Sequence, residues 1–234
     1  MTIGTNHDAP RVLTRLFDET AAHYDGIIGF MSFGSGAWYR RHALRRAGLV
    51  EGMKVLDVAV GTGAVARAAV GIVGPSGSIV GLDPSRGMLA QASKALRIPL
   101  IQGIAEGLPC RAATFDFLSI GYALRHVSEL RQTFGEFFRV LRPGGTLLIL
   151  DFARPRSRVG RAMGRFYLDR AVPWMARLGS GSQEAQLLVR YCWDTVESLV
   201  PPETILEAVT DCGFQEARHA TWFGVLSEYV ARRP

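Results

Sequence analysis

The segment Val55-Leu56-Asp57-Val58-Ala59-Val60-Gly61-Thr62-Gly63-Ala64 is a short apolar strand that turns through glycine into a helix. Glycines at such a junction allow a tight turn and let the backbone pass close under a ligand. The helix that opens there aims its unpaired N–H groups at the same spot. The pattern then repeats. Residues 54–59 read as a strand, 62–72 as a helix and 74–77 as a Gly-Pro-Ser-Gly turn. Strands are expected at 78–82, 98–102, 115–121 and 146–151, with a helix at 85–95. An amphipathic helix at 128–141 points Leu130, Phe134, Phe137, Phe138 and Leu141 inward, and Arg142-Pro143-Gly144-Gly145 ends it. Residues 202–212 read as a helix capped by Gly213, and 214–220 with 221–231 as a closing pair of strands. Strands that are apolar throughout are covered on both faces, and alternation with helices makes the sheet parallel. The expected fold is α/β: a doubly wound, Rossmann-like, mostly parallel sheet of seven strands with an antiparallel last strand.

This core is expected to span residues 51–151 and to be completed by 183–234. Residues 1–50 form a helical lid. They hold an amphipathic helix at 10–22 with Val12, Leu13, Leu16, Phe17 and Ala21 on one face, a Gly- and aromatic-rich loop at 26–36, and a basic helix at 38–47 stopped by Gly48. Residues 152–182 break the rhythm; Val159, Met163, Phe166, Tyr167 and Met175 recur at helical spacing, so an inserted helical cap is expected. A chain of 234 residues, 48% hydrophobic and 21% charged, supports one such core and is not a disordered segment. No apolar run reaches the roughly 18–20 residues of a spanning helix, and residues 1–10 are polar, so a cytoplasmic protein is expected. Cys110, Cys192 and Cys212 lie far apart and fit no metal spacing; free thiols are expected, and no metal.

Asp83 ends the second strand, 26 residues beyond Asp57. An acidic side chain there accepts hydrogen bonds from both hydroxyls of a ribose. Two ligands satisfy this logic. Gly61, Gly63 and Ala66 match the dinucleotide G-x-G-x-x-G/A pattern, in which a pyrophosphate rests on the helix N-terminus. S-adenosylmethionine (SAM) carries no phosphate, and its cationic amino-acid end suits a strand that holds Asp57.

Later segments favour SAM. Asp83-Pro84-Ser85-Arg86-Gly87-Met88-Leu89 resembles the D-x-S-x-x-M-L segment of class I methyltransferases, and Gly103-Ile104-Ala105-Glu106-Gly107-Leu108-Pro109 resembles their G-[DN]-A-E-x-L-P segment. Phe115-Asp116 and Leu141-Arg142-Pro143-Gly144-Gly145 complete the set in order. Further segments resemble the ubiquinone/menaquinone biosynthesis C-methyltransferase family. These are Phe17 to Asp25, Met31-Ser32-Phe33-Gly34, Ala123-Leu124-Arg125-His126-Val127, Asp151-Phe152-Ala153-Arg154-Pro155, Asp211-Cys212-Gly213-Phe214 and Trp222-Phe223-Gly224-Val225. The likeness runs from about residue 11 to 231 and implies transfer of a methyl group from SAM to a ring carbon of a prenylated quinol. It places SAM against Asp57, Ala59, Gly61, Thr62, Gly63, Asp83, Pro84, Met88, Ile104, Ala105, Glu106 and Gly121. The chain departs from the family at Ile104, where Asn or Asp is usual, at Ala64, at Ile28 and at His126, which replaces Asn in the L-R-N segment.

A neutral aromatic carbon is a poor nucleophile. Loss of a proton from an ortho or para hydroxyl pushes charge onto it, so the site needs a base or a cation, exclusion of water, and alignment. His126, with an ordinary pKa of about 6.5, is the expected base, and Arg125 the expected cation beside the phenolate. Tyr122 and Tyr24 are expected to cover SAM or touch the acceptor ring. Seven arginines between Arg154 and Arg177 offer the cap an anionic membrane face or a diphosphate pocket. The expected partners are a small aromatic or prenylated acceptor and, at the periphery, the membrane; a homodimer is allowed and nucleic acid is not expected. Two other readings stand beside this one: C- or O-methylation of a soluble aromatic natural product, and a non-catalytic SAM-binding regulatory or assembly protein. A net charge of +6, from 25 arginines and two lysines against 21 acids, separates none of these.

Overall fold

The computed structural model describes residues 14–15, 17–18, 20–21, 35–153 and 199–234. The strands are β1 (Lys54–Val58), β2 (Ser78–Asp83), β3 (Leu100–Gln102), β4 (Phe115–Gly121), β5 (Leu141–Phe152), β6 (Gln215–Trp222) and β7 (Leu226–Arg232). Among the described residues, helices run over α1 (Gly36–Arg46), α2 (Ala64–Val73), α3 (Arg86–Ala95), α4 (Leu130–Val140) and α5 (Pro202–Asp211), with a 3-10 turn at Leu124–His126. The sheet order is β3-β2-β1-β4-β5-β7-β6, parallel from β3 to β5, with β7 antiparallel to both of its neighbours. The expected doubly wound, seven-stranded sheet with a reversed last strand is the observed one.

Side chains alternate along each central strand, and both faces are apolar. Leu56, Val58, Leu118, Ile120, Leu147 and Ile149 share one core with Phe134 and Phe137 of α4 and Ile205 and Val209 of α5. Val55, Phe117, Leu148 and Leu150 share the other with Leu44 of α1 and Val65 and Ala69 of α2. Pro202 opens α5 at a position where a missing N–H costs nothing.

Several boundaries move. The Arg142–Gly145 segment is not a separate turn but lies within β5, because Gly144 N–H donates to Arg233 O and Arg233 N–H to Gly145 O, at 2.8 and 2.9 Å. The break in the closing hairpin falls at Phe223 and Gly224, both at positive φ (54° and 69°), rather than after residue 220. On α4 the buried side chains are Thr133, Phe134, Phe137 and Val140, so Leu130 and Phe138 sit at the edge of the core. The cap expected at 152–182 lies outside the described residues beyond Ala153, as do Tyr24, Ile28 and most of the lid at 1–34.

Candidate active site

β1 is flanked by β2 on one side and β4 on the other, and chain order reverses there. Open α/β sheets bind ligands at this switch point, beyond the carboxyl ends of the strands. A cavity of about 450 Å³ opens there, within the ~300–1,000 Å³ of small-molecule sites. Its floor is the β1–α2 turn. Ala59 adopts φ 52°, Val60 N–H donates to Leu82 O at 2.9 Å, and Gly63 N–H donates to Val60 O at 2.8 Å. Gly63, at φ 90°, caps α2. A side chain there would run into Leu96, so the close packing of α2 on α3 also requires glycine.

Asp83 is 6% exposed and lines the cavity. Its Oδ2 accepts Gly61 N–H at 2.8 Å and its Oδ1 accepts Ser85 N–H at 2.9 Å. Each oxygen keeps a lone pair for a ligand. Burial pushes the carboxyl up to about 6, against those two hydrogen bonds. Asp57 lies beneath the floor and does not line the cavity. It accepts Ser119 Oγ–H at 2.6 Å on Oδ1, its Oδ2 is buried with no hydrogen-bond partner, and burial pushes it up to about 7. Thr62 and Gly63 also form the turn without lining the cavity. Of the residues expected against SAM, Ala59, Gly61, Pro84, Met88, Ile104, Ala105, Glu106 and Gly121 line the cavity. Ile104 is 54% exposed at the rim. Glu106 accepts Ser128 N–H and Oγ–H, both at 3.0 Å, and so ties the β3 loop to the start of α4.

The N-terminal segment closes over this half. Thr14 and Phe17 line the cavity. Asp18 Oδ1 accepts Ser85 Oγ–H at 2.6 Å and Gly87 N–H at 2.8 Å. Ser85 in turn caps α3 by accepting Met88 N–H at 3.0 Å. Phe17 and Ser85 line the cavity and Asp18 buttresses Ser85, three residues that the sequence reading did not assign to the site. Phe17 had a signal, since it stands on the apolar face of the 10–22 helix; the contact of Asp18 with α3 had none.

On the opposite side stand Gly121, Tyr122, Ala123, His126 and Val127. The two residues expected to carry the chemistry part here. Arg125 does not line the cavity. It faces a separate small pocket, where Nη1 donates to Tyr122 O at 2.7 Å and meets Asp151 Oδ1 at 3.4 Å, both side chains being 4% exposed. The 3-10 turn directs consecutive residues apart, which separates it from His126. His126 does line the cavity, edge to face with the Phe17 ring at 5.6 Å between ring centres. Burial and then the Arg125 charge lower its pKa to about 3, so its imidazole is neutral at ordinary pH and a weaker base than expected.

The lining discriminates between the two ligands. Among the described residues no lysine or arginine lines the cavity, while Asp83 and Glu106 do and the orphan oxygen of Asp57 lies below. A pyrophosphate would meet these carboxylates with only the helix N-terminus and no cationic side chain of the lining to offset them; a cationic amino-acid end meets a complementary field. Among the described residues no cluster of metal ligands occurs.

The fold and this site define a SAM-dependent methyltransferase. Solved structures agree on the fold. A SAM-dependent methyltransferase from Aquifex aeolicus superposes with TM-score 0.63 at 19% identity over 83% of this chain and 89% of its own. A putative S-adenosyl-L-methionine-dependent methyltransferase from Methanococcus maripaludis gives 0.66 at 16% identity over 100% and 97%. The model of the ubiE/COQ5 methyltransferase family matches residues 5–232, and the chain belongs to that family. Its relatives include the ubiquinone/menaquinone biosynthesis C-methyltransferase UbiE of Geobacter sulfurreducens, 32% identical over 93% of this chain and 87% of that protein. The demethylmenaquinone methyltransferase of Thermus thermophilus is 31% identical over 94% and 100%. The 2-phytyl-1,4-naphtoquinone methyltransferase of Thermosynechococcus vestitus is 31% identical over 90% and 94%.

Proposed function

We propose that this enzyme methylates a ring carbon of a prenylated quinol. What carries the reading is the near full-length likeness to enzymes named for ubiquinone, menaquinone and phytylnaphthoquinone methylation. The mostly apolar acceptor wall of Phe17, Tyr122, Ala123 and Val127 suits an aromatic ring. SAM supplies an electrophilic methyl group on a sulfonium. Asp83 would accept the ribose hydroxyls, and the turn carbonyls would face the ammonium, with Asp57 below the floor contributing its field rather than a contact. Met88 offers its polarizable thioether to the adenine beside Ile104 and Ala105. Phe17 keeps water from the reacting atoms. Neutral His126 accepts a hydrogen bond from the acceptor hydroxyl, whose proton passes to water. Arg125 acts at one remove, by fixing the Tyr122 carbonyl and Asp151. The Arg-rich segment 154–177 meets the anionic membrane that holds the acceptor.

The departure at His126 favours a second reading, methylation of a soluble phenol on carbon or oxygen. Incubation with methyl-labelled SAM, a reduced lipid-quinone precursor extract and a panel of soluble phenols separates the two by mass spectrometry. Label on a ring carbon of a prenylated quinol is expected. Label only on a soluble phenol overturns the quinol acceptor, and no transfer to either pool overturns both readings.

A further inference from the structure

Phe17 and Asp18 are consecutive, yet they serve opposite halves of the site. Phe17 lines the cavity and meets the His126 ring edge to face, on the acceptor side. Asp18 does not line it. Its Oδ1 accepts Ser85 Oγ–H at 2.6 Å and Gly87 N–H at 2.8 Å, at the start of α3 on the cofactor side. Thr14 and Phe17, three residues apart on a helical stretch, share a face and both line the cavity. Thr20 and Ala21, just beyond, are buried and anchor the stretch.

The Asp18 contact is built into both partners. The first N–H groups of a helix have no partners within it. Ser85 Oγ takes that of Met88 at 3.0 Å, and Asp18 takes that of Gly87 from 69 residues away in the chain. A carboxylate is favoured there by the partial positive charge of the helix end. Gly87 admits it: an added Cβ would stand 2.7 Å from the Asp18 carbonyl oxygen and 2.8 Å from its Cα, so the two backbones meet as closely as glycine alone allows. Ser85 is shared. It gives its hydroxyl proton to Asp18 and its N–H to Asp83 Oδ1 at 2.9 Å. Direct contacts therefore run from Asp83 through Ser85 to Asp18, and from its chain neighbour Phe17 to His126.

We propose that Asp18 is a positioning residue that couples cofactor binding to acceptor binding. A ribose held by Asp83 steadies Ser85, Ser85 holds Asp18, and Asp18 sets Phe17 against His126 as a wall for the acceptor ring. This rests on the ribose and acceptor assignments proposed above. Each ligand then tightens the other, and by the same factor, because coupling between two sites is reciprocal. Asp18 is exposed, and hydrogen bonds in such a setting are individually modest, so the lock releases when the cofactor leaves. The consequence for transfer is order: the acceptor wall is complete only around a loaded cofactor, and the wall in turn keeps water from the sulfonium.

The test does not depend on turnover. Calorimetry on the full chain measures the affinity for S-adenosylhomocysteine and for an alkyl-naphthol, each alone and with the other saturating. In the wild type each is expected to tighten the other about tenfold. Asp18→Ala should cut this mutual effect to less than about twofold while both ligands still bind. Asp18→Asn, whose amide oxygen accepts the same two hydrogen bonds, should keep most of it. Phe17→Ala should also abolish it, and the double variant should do no more than either single one. An Asp18→Ala variant that binds each ligand more weakly but keeps their mutual effect overturns the inference and leaves Asp18 a cap of α3 only. A wild type that binds both ligands independently also overturns it, with the cofactor and acceptor assignments intact. A wild type that binds S-adenosylhomocysteine but no naphthol overturns the acceptor wall and the coupling together.

Discussion

Lowering the pH from 7.5 to 5 is expected to weaken SAM about tenfold through Asp83 alone. The ribose hydroxyls donate to this group, so they bind its charged form best. Its carboxyl titrates near 6, pushed up by burial against the Gly61 and Ser85 N–H bonds. At pH 5 about one site in ten carries the charge, and above pH 7 nearly all do. The apo protein moves the other way. The folded carboxyl binds protons more readily than an ordinary aspartate at 3.8, so fold stability falls as pH rises from 3.8 through about 6. The difference is at most ~3 kcal/mol. Asp57, pushed to about 7, has the same sign and carries the trend one unit further. Stabilisation by SAM should therefore grow over the pH range in which the apo protein weakens. Calorimetric titration at several pH values, in buffers of different ionisation enthalpy, reads both the affinity and the protons released. Asp83→Asn keeps the shape and lacks the charge; it should bind SAM more weakly by ~1–3 kcal/mol and lose the dependence below pH 6. A wild-type affinity that stays flat from pH 5 to 7.5, with no proton release, would refute the assignment of Asp83 to the ribose.

Arg125→Ala leaves Asp151 buried and unpaired, so a loss of about 3–5 kcal/mol in denaturant unfolding is expected; a loss below ~1 kcal/mol would mean that the pair is solvated and does not fix Tyr122. Gly87→Ala has two opposed effects. It raises helix propensity in α3, yet its Cβ would stand 2.7 Å from the Asp18 carbonyl oxygen. Faster SAM dissociation without a lower melting temperature is expected, and slower dissociation would show that the Asp18 contact does not close the site. His126 titrates near 3 when folded, below its ordinary 6.5, so its contribution to stability is full above 6.5 and is lost as pH falls toward 3. His126→Gln should flatten that acid limb of the stability curve, and the pH–rate profiles of wild type and variant should both lack a limb near 6.5; a wild-type limb at 6.5 that vanishes in the variant would restore His126 as a general base.

The cofactor half was legible because it is local. One strand-turn-helix unit, Asp57 to Ala64, and one strand end, Asp83, determine where the nucleoside goes, and period-2 apolar strands place both units at the same sheet edge. Even there, sequence cannot say which residues reach the ligand. Asp57 and Thr62 stand in the right turn but below its surface. The acceptor half was less legible because direction matters more than position. Arg125 and His126 are adjacent in sequence, and a 3-10 turn sends one to Asp151 and the other to the cavity. The expected base also kept its ordinary pKa only on paper, since the burial and the neighbouring guanidinium that lower it exist only in the fold.

The same contrast explains how such an enzyme can change acceptor while keeping its cofactor. On the proposed reading SAM would be met by backbone groups of the turn and by Asp83, which Gly61 and Ser85 N–H groups hold in place, contacts that a side-chain change elsewhere leaves alone. The proposed acceptor wall is built from side chains that converge from distant parts of the chain: Phe17 meets His126 across the whole cofactor-binding segment. A substitution at either position would alter the polarity of that wall without moving a strand. Ile104 and His126 differ from the family pattern on the cavity wall, while the Asp57–Ala64 turn and Asp83 retain its main features. On the proposed quinol reading, acceptor choice would therefore be set by a few side chains of the cavity wall, Phe17, Tyr122 and His126, rather than by the turn that holds the cofactor.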